Sequence, residues 1–253
     1  MCYNITQITT LNLSDNALND SGIKHVTNVL QQNTTIKTLH LRKTGIGFGC
    51  SRYARYHFPS APSGLFAPPV ASTGGGNLVN FRSPWYLENL LKINSTLTTL
   101  HLGWNSIGES DVQKLMDALA INTTLKILDI GWNKITDKGA QHLADALKTN
   151  KTLTTLSLQN NGIGDIGAEF LANALSYSST LTTLDLSRNE ITGRGMKYFE
   201  NALKNNTGLQ TLDLWDNEIG TIGAQHLANG IKHNSHSIVV IISSLDLLVP
   251  IWG

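Results

Sequence analysis

A repeat of 28 residues constrains this chain more than any other feature of it. Leu125–Thr152 reads LKILDIGWNKITDKGAQHLADALKTNKT. Forward shifts of 28 residues land on LTTLSLQNNGIGDIGAEFLANALSYSST (Leu153–Thr180), LTTLDLSRNEITGRGMKYFENALKNNTG (Leu181–Gly208) and LQTLDLWDNEIGTIGAQHLANGIKHNSH (Leu209–His236). One shift back gives LTTLHLGWNSIGESDVQKLMDALAINTT (Leu97–Thr124), and a first copy, ITTLNLSDNALNDSGIKHVTNVLQQNTT, spans Ile8–Thr35. A fixed period of this size signals a solenoid, because one such unit cannot bury its own apolar face and copies must stack coil on coil.

Within each copy the two halves have different periods. Apolar residues stand at positions 1, 4 and 6, and positions 4 and 6 alternate as in a short strand with one buried face. Position 9 is asparagine in six of seven copies: Asn16, Asn105, Asn133, Asn161, Asn189 and Asn217. A side-chain amide both donates and accepts, so a ladder of these residues would satisfy backbone groups where the chain turns off the strand. In the second half Ala140, Leu143, Ala144 and Leu147 follow the i, i+3, i+4, i+7 spacing of an amphipathic helix, with Asp137 expected as its cap. The expectation is an α/β fold: a right-handed solenoid, or horseshoe, with a parallel concave sheet and outer helices.

Taken in order, the chain divides into 1–47 (the first repeat and the start of the second), 48–82 (an irregular Pro/Gly-rich insertion), 83–236 (regular repeats) and an apolar 237–253. Residues 1–7 read as the tail of a preceding repeat, and no polar cap is visible, as in a piece of a longer array. Repeat two opens at Ile36 but carries Thr44 at position 9. A hydroxyl there is expected to leave a backbone group unmet, at about 1–3 kcal/mol, and to make this coil the weak link. From Ile36 to Leu97 is 61 residues, one period plus 33, and the surplus has neither helical nor strand periodicity. Two accounts fit it: a binding loop projecting from the array, or foreign sequence such as a retained intron. At the C-terminal end Val240 and Ile242 fall on positions 4 and 6, the pattern of a closing strand. The apolar run there is short and broken by Asp246, which argues against a membrane span.

Composition excludes more than it selects. A formal net charge of +1 gives no global field of the kind that holds nucleic acid. Two cysteines, Cys2 and Cys50, are too few for a disulfide scaffold. The N-terminus has no basic segment followed by an apolar run, so no signal peptide is read and a cytoplasmic location is expected. The Asn-x-Ser/Thr matches at Asn33, Asn94, Asn122 and Asn150 come from the ending of the repeat itself and are read as chance.

The candidate binding residues follow from strand geometry, since alternate strand residues face away from the helices. Position 5 supplies His101, Asp129, Asp185 and Asp213; position 7 supplies Trp215; position 8 supplies Trp104, Trp132, Arg188 and Asp216. Trp104 and Trp132 hold the same position in consecutive copies, one strand spacing apart, and exposed tryptophan is enriched at binding hot spots. Asp185 and Asp213 should stand side by side with Asp216 near and only Arg188 opposing. Like charges so placed destabilise a sheet, and a protein partner with a basic surface would relieve them.

No catalytic constellation emerges. His25, His142 and His226 share one helical position but lie three coils apart, and His233 with His236 makes a HxxH without a third ligand. Gly45, Gly47 and Gly49 lack the spacing and the following Lys-Ser/Thr of a phosphate loop. A non-catalytic chain with no cofactor and no metal is expected.

The unit LxxLxLxxNxIxxxGxxxLAxAL resembles the ribonuclease-inhibitor-like class of leucine-rich repeats, found in tandem in NOD-like receptors and Ran GTPase-activating proteins. The resemblance covers 8–35, part of 36–46, and 97–236. It implies protein recognition through the concave sheet and ascending loops, with tryptophan and acidic side chains carrying the contacts, as in a fragment of a receptor-like or inhibitor-like protein. It also implies an alternative, GTPase activation, in which Arg188 or Arg42 would act beside bound nucleotide. The acidic tail of the Ran regulators is missing here.

Overall fold

Three-residue strands alternate with helices along the whole described chain. The computed structural model describes residues 8–46 and 83–242. The strands are β1 (Thr10–Asn12), β2 (Thr38–His40), β3 (Thr99–His101), β4 (Ile127–Asp129), β5 (Thr155–Ser157), β6 (Thr183–Asp185), β7 (Thr211–Asp213) and β8 (Val239–Ile241). The helices are α1 (Asn19–Gln31), α2 (Ser83–Ile93), α3 (Glu109–Leu119), α4 (Thr136–Thr149), α5 (Asp165–Leu175), α6 (Gly193–Asn205) and α7 (Gly220–Lys232). All eight strands run parallel in one sheet in sequence order. Like pairs with like: Leu39 lies opposite Leu100, Leu128 opposite Leu156, and Leu212 opposite Val240. An α/β leucine-rich solenoid is the result.

The repeat's leucines fill a continuous core between the sheet and the helices. Leu100, Leu102 and Ile107 from one coil, and Leu184, Leu186 and Ile191 from another, are each fully buried. The helices pack only against their neighbours along the array. Their close approach requires glycine in the first helical turn. A Cβ on Gly195 would stand 2.8 Å from Ile191 Cγ2 and 2.8 Å from Asp165 Oδ1.

Position-9 asparagines tie each coil to the one before it. Asn189 Nδ2 donates to the Leu186 and Ser187 carbonyls of its own coil and, at 3.0 Å, to the Leu158 carbonyl of the preceding one. Its Oδ1 accepts from the Asn161 and Ile163 amides. Asn105, Asn133, Asn161 and Asn217 repeat the pattern, whereas Asn16 is exposed and, among the described residues, its side chain bonds only the Leu13 and Ser14 carbonyls. Because each asparagine serves the coil before it, Asn105 serves the Thr44 coil. Its Oδ1 accepts from the Thr44, Gly45 and Ile46 amides, and Leu41 O receives both the Thr44 hydroxyl and Asn105 Nδ2, each at 2.8 Å. Leu13 O is met by Asn16, so the unmet group expected at Thr44 does not arise.

A second ladder, which the sequence disguised as glycosylation signals, lies at the turns from helix to strand. Asn94, Asn122, Asn150 and Asn206 are buried. Each donates Nδ2 to a carbonyl of the preceding helix end (Leu30, Leu91, Leu119 and Leu175), and Oδ1 accepts from the amide that opens the next strand segment. The amides of Asn94, Asn122 and Asn150 are therefore engaged inside the fold and closed to a glycan. The gap in this ladder is Ser178, which is buried with an unpartnered hydroxyl. Ser178→Asn is expected to stabilise the chain by about 1–2 kcal/mol, read from the urea midpoint. An unchanged or lower midpoint would show that the position does not accept the ladder geometry.

Two other expectations need correction or placement. Asp137 does not cap α4. It lies inside the first turn, and its Oδ1 accepts from the Gly164 and Gly167 amides, so it caps the start of the next coil's helix. Asp165 does the same for Thr192 and Gly195. Position-13 side chains point along the array rather than back along their own helix. The 48–82 insertion, residues 1–7 and 243–253 lie outside the described residues. On either side of the insertion β2 and β3 pair in register, and α2 packs between α1 and α3.

Candidate functional site on the helix-free face of the sheet

Positions 5, 7 and 8 lie on the face of the sheet opposite the helices, because positions 4 and 6 point into the core. Position 8 turns the chain off the strand in a left-handed conformation in every described coil: Asp15, Lys43, Trp104, Trp132, Asn160, Arg188 and Asp216 have φ between 52° and 60°. Aspartate and asparagine tolerate this geometry, whereas a bulky side chain there costs about 1–3 kcal/mol. Trp104 and Trp132 nevertheless occupy it. Their rings stack at 4.0 Å with 9° between planes, a contact worth about 0.5–1.5 kcal/mol beyond area burial. One stack does not offset two strained residues, so fold stability alone gives no reason for two indoles here.

The position-8 row is continuous. Lys43 Nζ lies 3.4 Å from Asp15 Oδ1 and 5.3 Å from the Trp104 ring centroid. Trp132 Nε1 donates to Gln159 Oε1 at 3.0 Å. Arg188 reaches back over the Asn160 coil, its Cζ 5.5 Å from the Trp132 ring and 4.8 Å from the Trp215 ring. Its Nε makes no hydrogen bond and meets Asp216 Oδ2 only as an ion pair at 3.5 Å. Trp215, 40% exposed, is thus joined to the tryptophan pair through Arg188 rather than by stacking.

Beside this row, the two coils that carry tryptophan at position 8 carry glycine at position 7. A Cβ on Gly103 would lie 3.2 Å from Gly131 O and 3.4 Å from Arg42 Nε, and one on Gly131 would lie 3.2 Å from Gln159 O. The strip between the indoles and the position-5 row has no side chain of its own at these two positions, and Arg42, Asp129 and Gln159 close over it.

In the position-5 row His40 and His101 stack at 4.5 Å, 2° from parallel, and His101 Nδ1 lies 3.2 Å from Asp129 Oδ2. Burial pushes the Asp129 carboxyl up, but the hydrogen bonds from His101 and the Gly131 amide outweigh it, and the net direction is down. Burial lowers His40, with His101 and Arg42 adding to the effect against the pull of Asp129. Asp185 and Asp213 face each other in register. The sequence reading left Arg188 as their sole opponent, yet Asp185 is saturated by hydroxyls: Ser157 donates to Oδ2 at 2.9 Å and Ser187 to Oδ1 at 2.6 Å. Asp213 accepts the Trp215 amide at 2.9 Å. Burial pushes its carboxyl up, the Trp215 amide opposes, and the Asp185 charge adds to the rise. Asp213 thus accepts one backbone hydrogen bond and faces a like charge across the sheet.

The face so built joins Trp104, Trp132, Arg188, Trp215 and Asp216 in one row and His101 with Asp129 in the other. The repeat also sets His40, Lys43, Gln159, Ser157 and Ser187 on this face, although the sequence does not single them out as contacts. Their positions were legible from the period, but the side-chain partners at 28-residue offsets were not. Among the described residues no group of three or more His, Cys, Asp or Glu could hold a metal ion. His233 Nδ1 bonds the Asn229 carbonyl and His236 Nδ1 the Ser235 hydroxyl.

An array of β–α coils with one strand face left uncovered by helices defines a solenoid with an open sheet. The Leucine Rich repeat family model matches residues 5–25, 94–116, 122–144, 149–172, 177–199 and 205–228, more than half of the sequence. The chain belongs to the leucine-rich repeat family. Comparison with curated proteins finds no match. Among solved structures it is similar to the actin-binding site 2 of leiomodin-1, at 22% identity and a TM-score of 0.48, covering 62% of this chain and 92% of that one. It is also similar to the C-terminal domain of tropomodulin from Caenorhabditis elegans, at 12% identity and a TM-score of 0.48, covering 60% of this chain and 92% of that one.

Proposed function

We propose that this chain is a non-catalytic protein-interaction module that binds a protein partner through the helix-free face of its sheet. The observation that carries the reading is the Trp104–Trp132 stack, held half-exposed at two left-handed positions. Strain without a folding return is characteristic of residues kept for contact with something outside the fold. Trp215, Arg188, His101 and Asp129 extend the surface around that centre. The carboxylates of Asp185, Asp213 and Asp216 favour a basic surface on the partner, with Asp213 receiving its cation. The 28-residue period supports placing the module in the ribonuclease-inhibitor-like class. Among the described residues no helix is long and apolar enough to cross a membrane, and a cytoplasmic setting is part of the proposal.

The test compares proteins captured by the purified chain and by a Trp104→Ala/Trp132→Ala variant, quantified by mass spectrometry. Loss of two hot-spot side chains should weaken capture of the specific partner by about 10-fold or more, with folding of the variant confirmed by circular dichroism. Equal recovery of every protein by the two forms would remove the indoles from the interface.

A further inference from the structure

A second surface lies on the helical side of the array, between the N-terminal halves of α6 and α7. There a cleft of about 610 Å³ is lined by Arg194, Lys197, Tyr198, Ile219, Ile222 and His226, among others. The cleft coincides with a change in the repeat. At position 13, where the two preceding coils carry Asp137 and Asp165, coil six carries Gly193, and no carboxylate enters the space. Arg194 and Lys197, exposed and three residues apart on α6, make no ion pair among the described residues.

Two acidic groups near the cleft are engaged within the chain, and Glu218, exposed beside Ile219, is not among the residues that line it. Asp165 accepts from Thr192 and Gly195, and Glu200 holds Lys204 and His226. The rim is therefore positive. The walls are apolar: Ile222 is 66% exposed, and the Tyr198 ring and Ile219 lie beside it.

We propose that this cleft docks an acidic segment of a protein partner, one that places an aliphatic side chain against Ile222 and carboxylates against Arg194 and Lys197. The volume lies within the usual range of pockets that enclose an organic group, about 300–1,000 Å³, and accommodates a side chain or two. A bare inorganic anion would satisfy the cations and leave Ile222 in water. A purely apolar segment would bury Ile222 and leave two cations uncompensated. Only an occupant with both chemistries matches both walls. The docking is independent of the sheet face, which lies on the other side of the core.

Fluorescence anisotropy with the full chain tests it, using a labelled peptide Gly-Ser-Ile-Asp-Glu-Leu-Glu-Asp and its Asn/Gln counterpart as probes. The acidic peptide should bind and the neutral one should bind at least about 10-fold more weakly, with affinity falling as salt rises and screens the contact. Arg194→Glu/Lys197→Glu and, separately, Ile222→Asp should each weaken binding by about 10-fold or more, while Trp104→Ala/Trp132→Ala leaves it unchanged. All these substitutions are at exposed or half-exposed positions, and circular dichroism confirms folding. Equal binding of the two peptides, no binding by the wild type, or wild-type affinity in the charge-reversed variant would overturn the proposal. Self-association lost in that same variant would assign the cleft to a second copy instead, and would also overturn it.

Discussion

Asn189→Ala is expected to cost about 4 kcal/mol, a large share of the roughly 5–15 kcal/mol that separates a folded domain from its unfolded chain. The side chain donates to the Leu158, Leu186 and Ser187 carbonyls and accepts from the Asn161 and Ile163 amides, all near the buried seam between two coils. Water cannot replace it there, because Asn189 is only 8% exposed. Two or more backbone groups left without partners, at about 1–3 kcal/mol each, give the estimate. Asn16→Ala is the control: that residue is exposed and joins no preceding coil among the described residues. Its loss should fall within about 0.5 kcal/mol of neutral. Urea unfolding of both variants checks the contrast, and hydrogen exchange should show protection lost first at Asn161 and Ile163. A cost for Asn189→Ala below about 1 kcal/mol would mean that the ladder is decoration on a fold held by its leucines.

Phe199→Ala should cost about 3–5 kcal/mol through the cavity it leaves. Phe199 is the largest fully buried side chain among the described residues. It stands on α6 where the neighbouring helices carry Leu143, Leu171 and Leu227, and Met196 stands where all three carry alanine, Ala140, Ala168 and Ala224. Coil six thus has the largest side chains at the helix–sheet interface. Because a solenoid transmits stability only between neighbours, the damage should not spread evenly. Loosening α6 uncouples α7 and β8 from the rest, so hydrogen exchange should report opening of 209–242 while 97–180 keeps its protection. Uniform loss along the chain would instead make the array one cooperative unit at this length. Phe199→Leu, which restores the side chain found in the neighbours, should recover most of the loss.

Much of this fold was legible because the repeat reports the same physical environment several times over. Leu128, Leu156, Leu184 and Leu212 had to be buried once the strand period was recognised. Position 5 then had to face outward, which placed the aspartates on one surface, and position 8 in the adjoining turn put Trp104 and Trp132 beside them. The Thr44 coil was misjudged because the direction in which an asparagine reaches along the array is a matter of three dimensions. The second ladder was misread for a different reason. Asn122 and Asn150 spell a glycosylation signal locally, and only burial reveals that their amides serve the preceding helix. In the candidate site, Arg188 was assigned to oppose Asp185 and Asp213, yet it lies between two indoles, while hydroxyls from Ser157 and Ser187 satisfy Asp185.

The sequence by itself determined the unit, its period, the parallel stacking and which side chains leave the core, since these follow from spacing along one chain. The tertiary structure decided what those side chains do to one another: the left-handed turn that strains both tryptophans, the arginine between rings, and the cleft where Gly193 stands in place of an aspartate. Such contacts join atoms a full repeat or more apart, and their geometry depends on how each coil settles on the next.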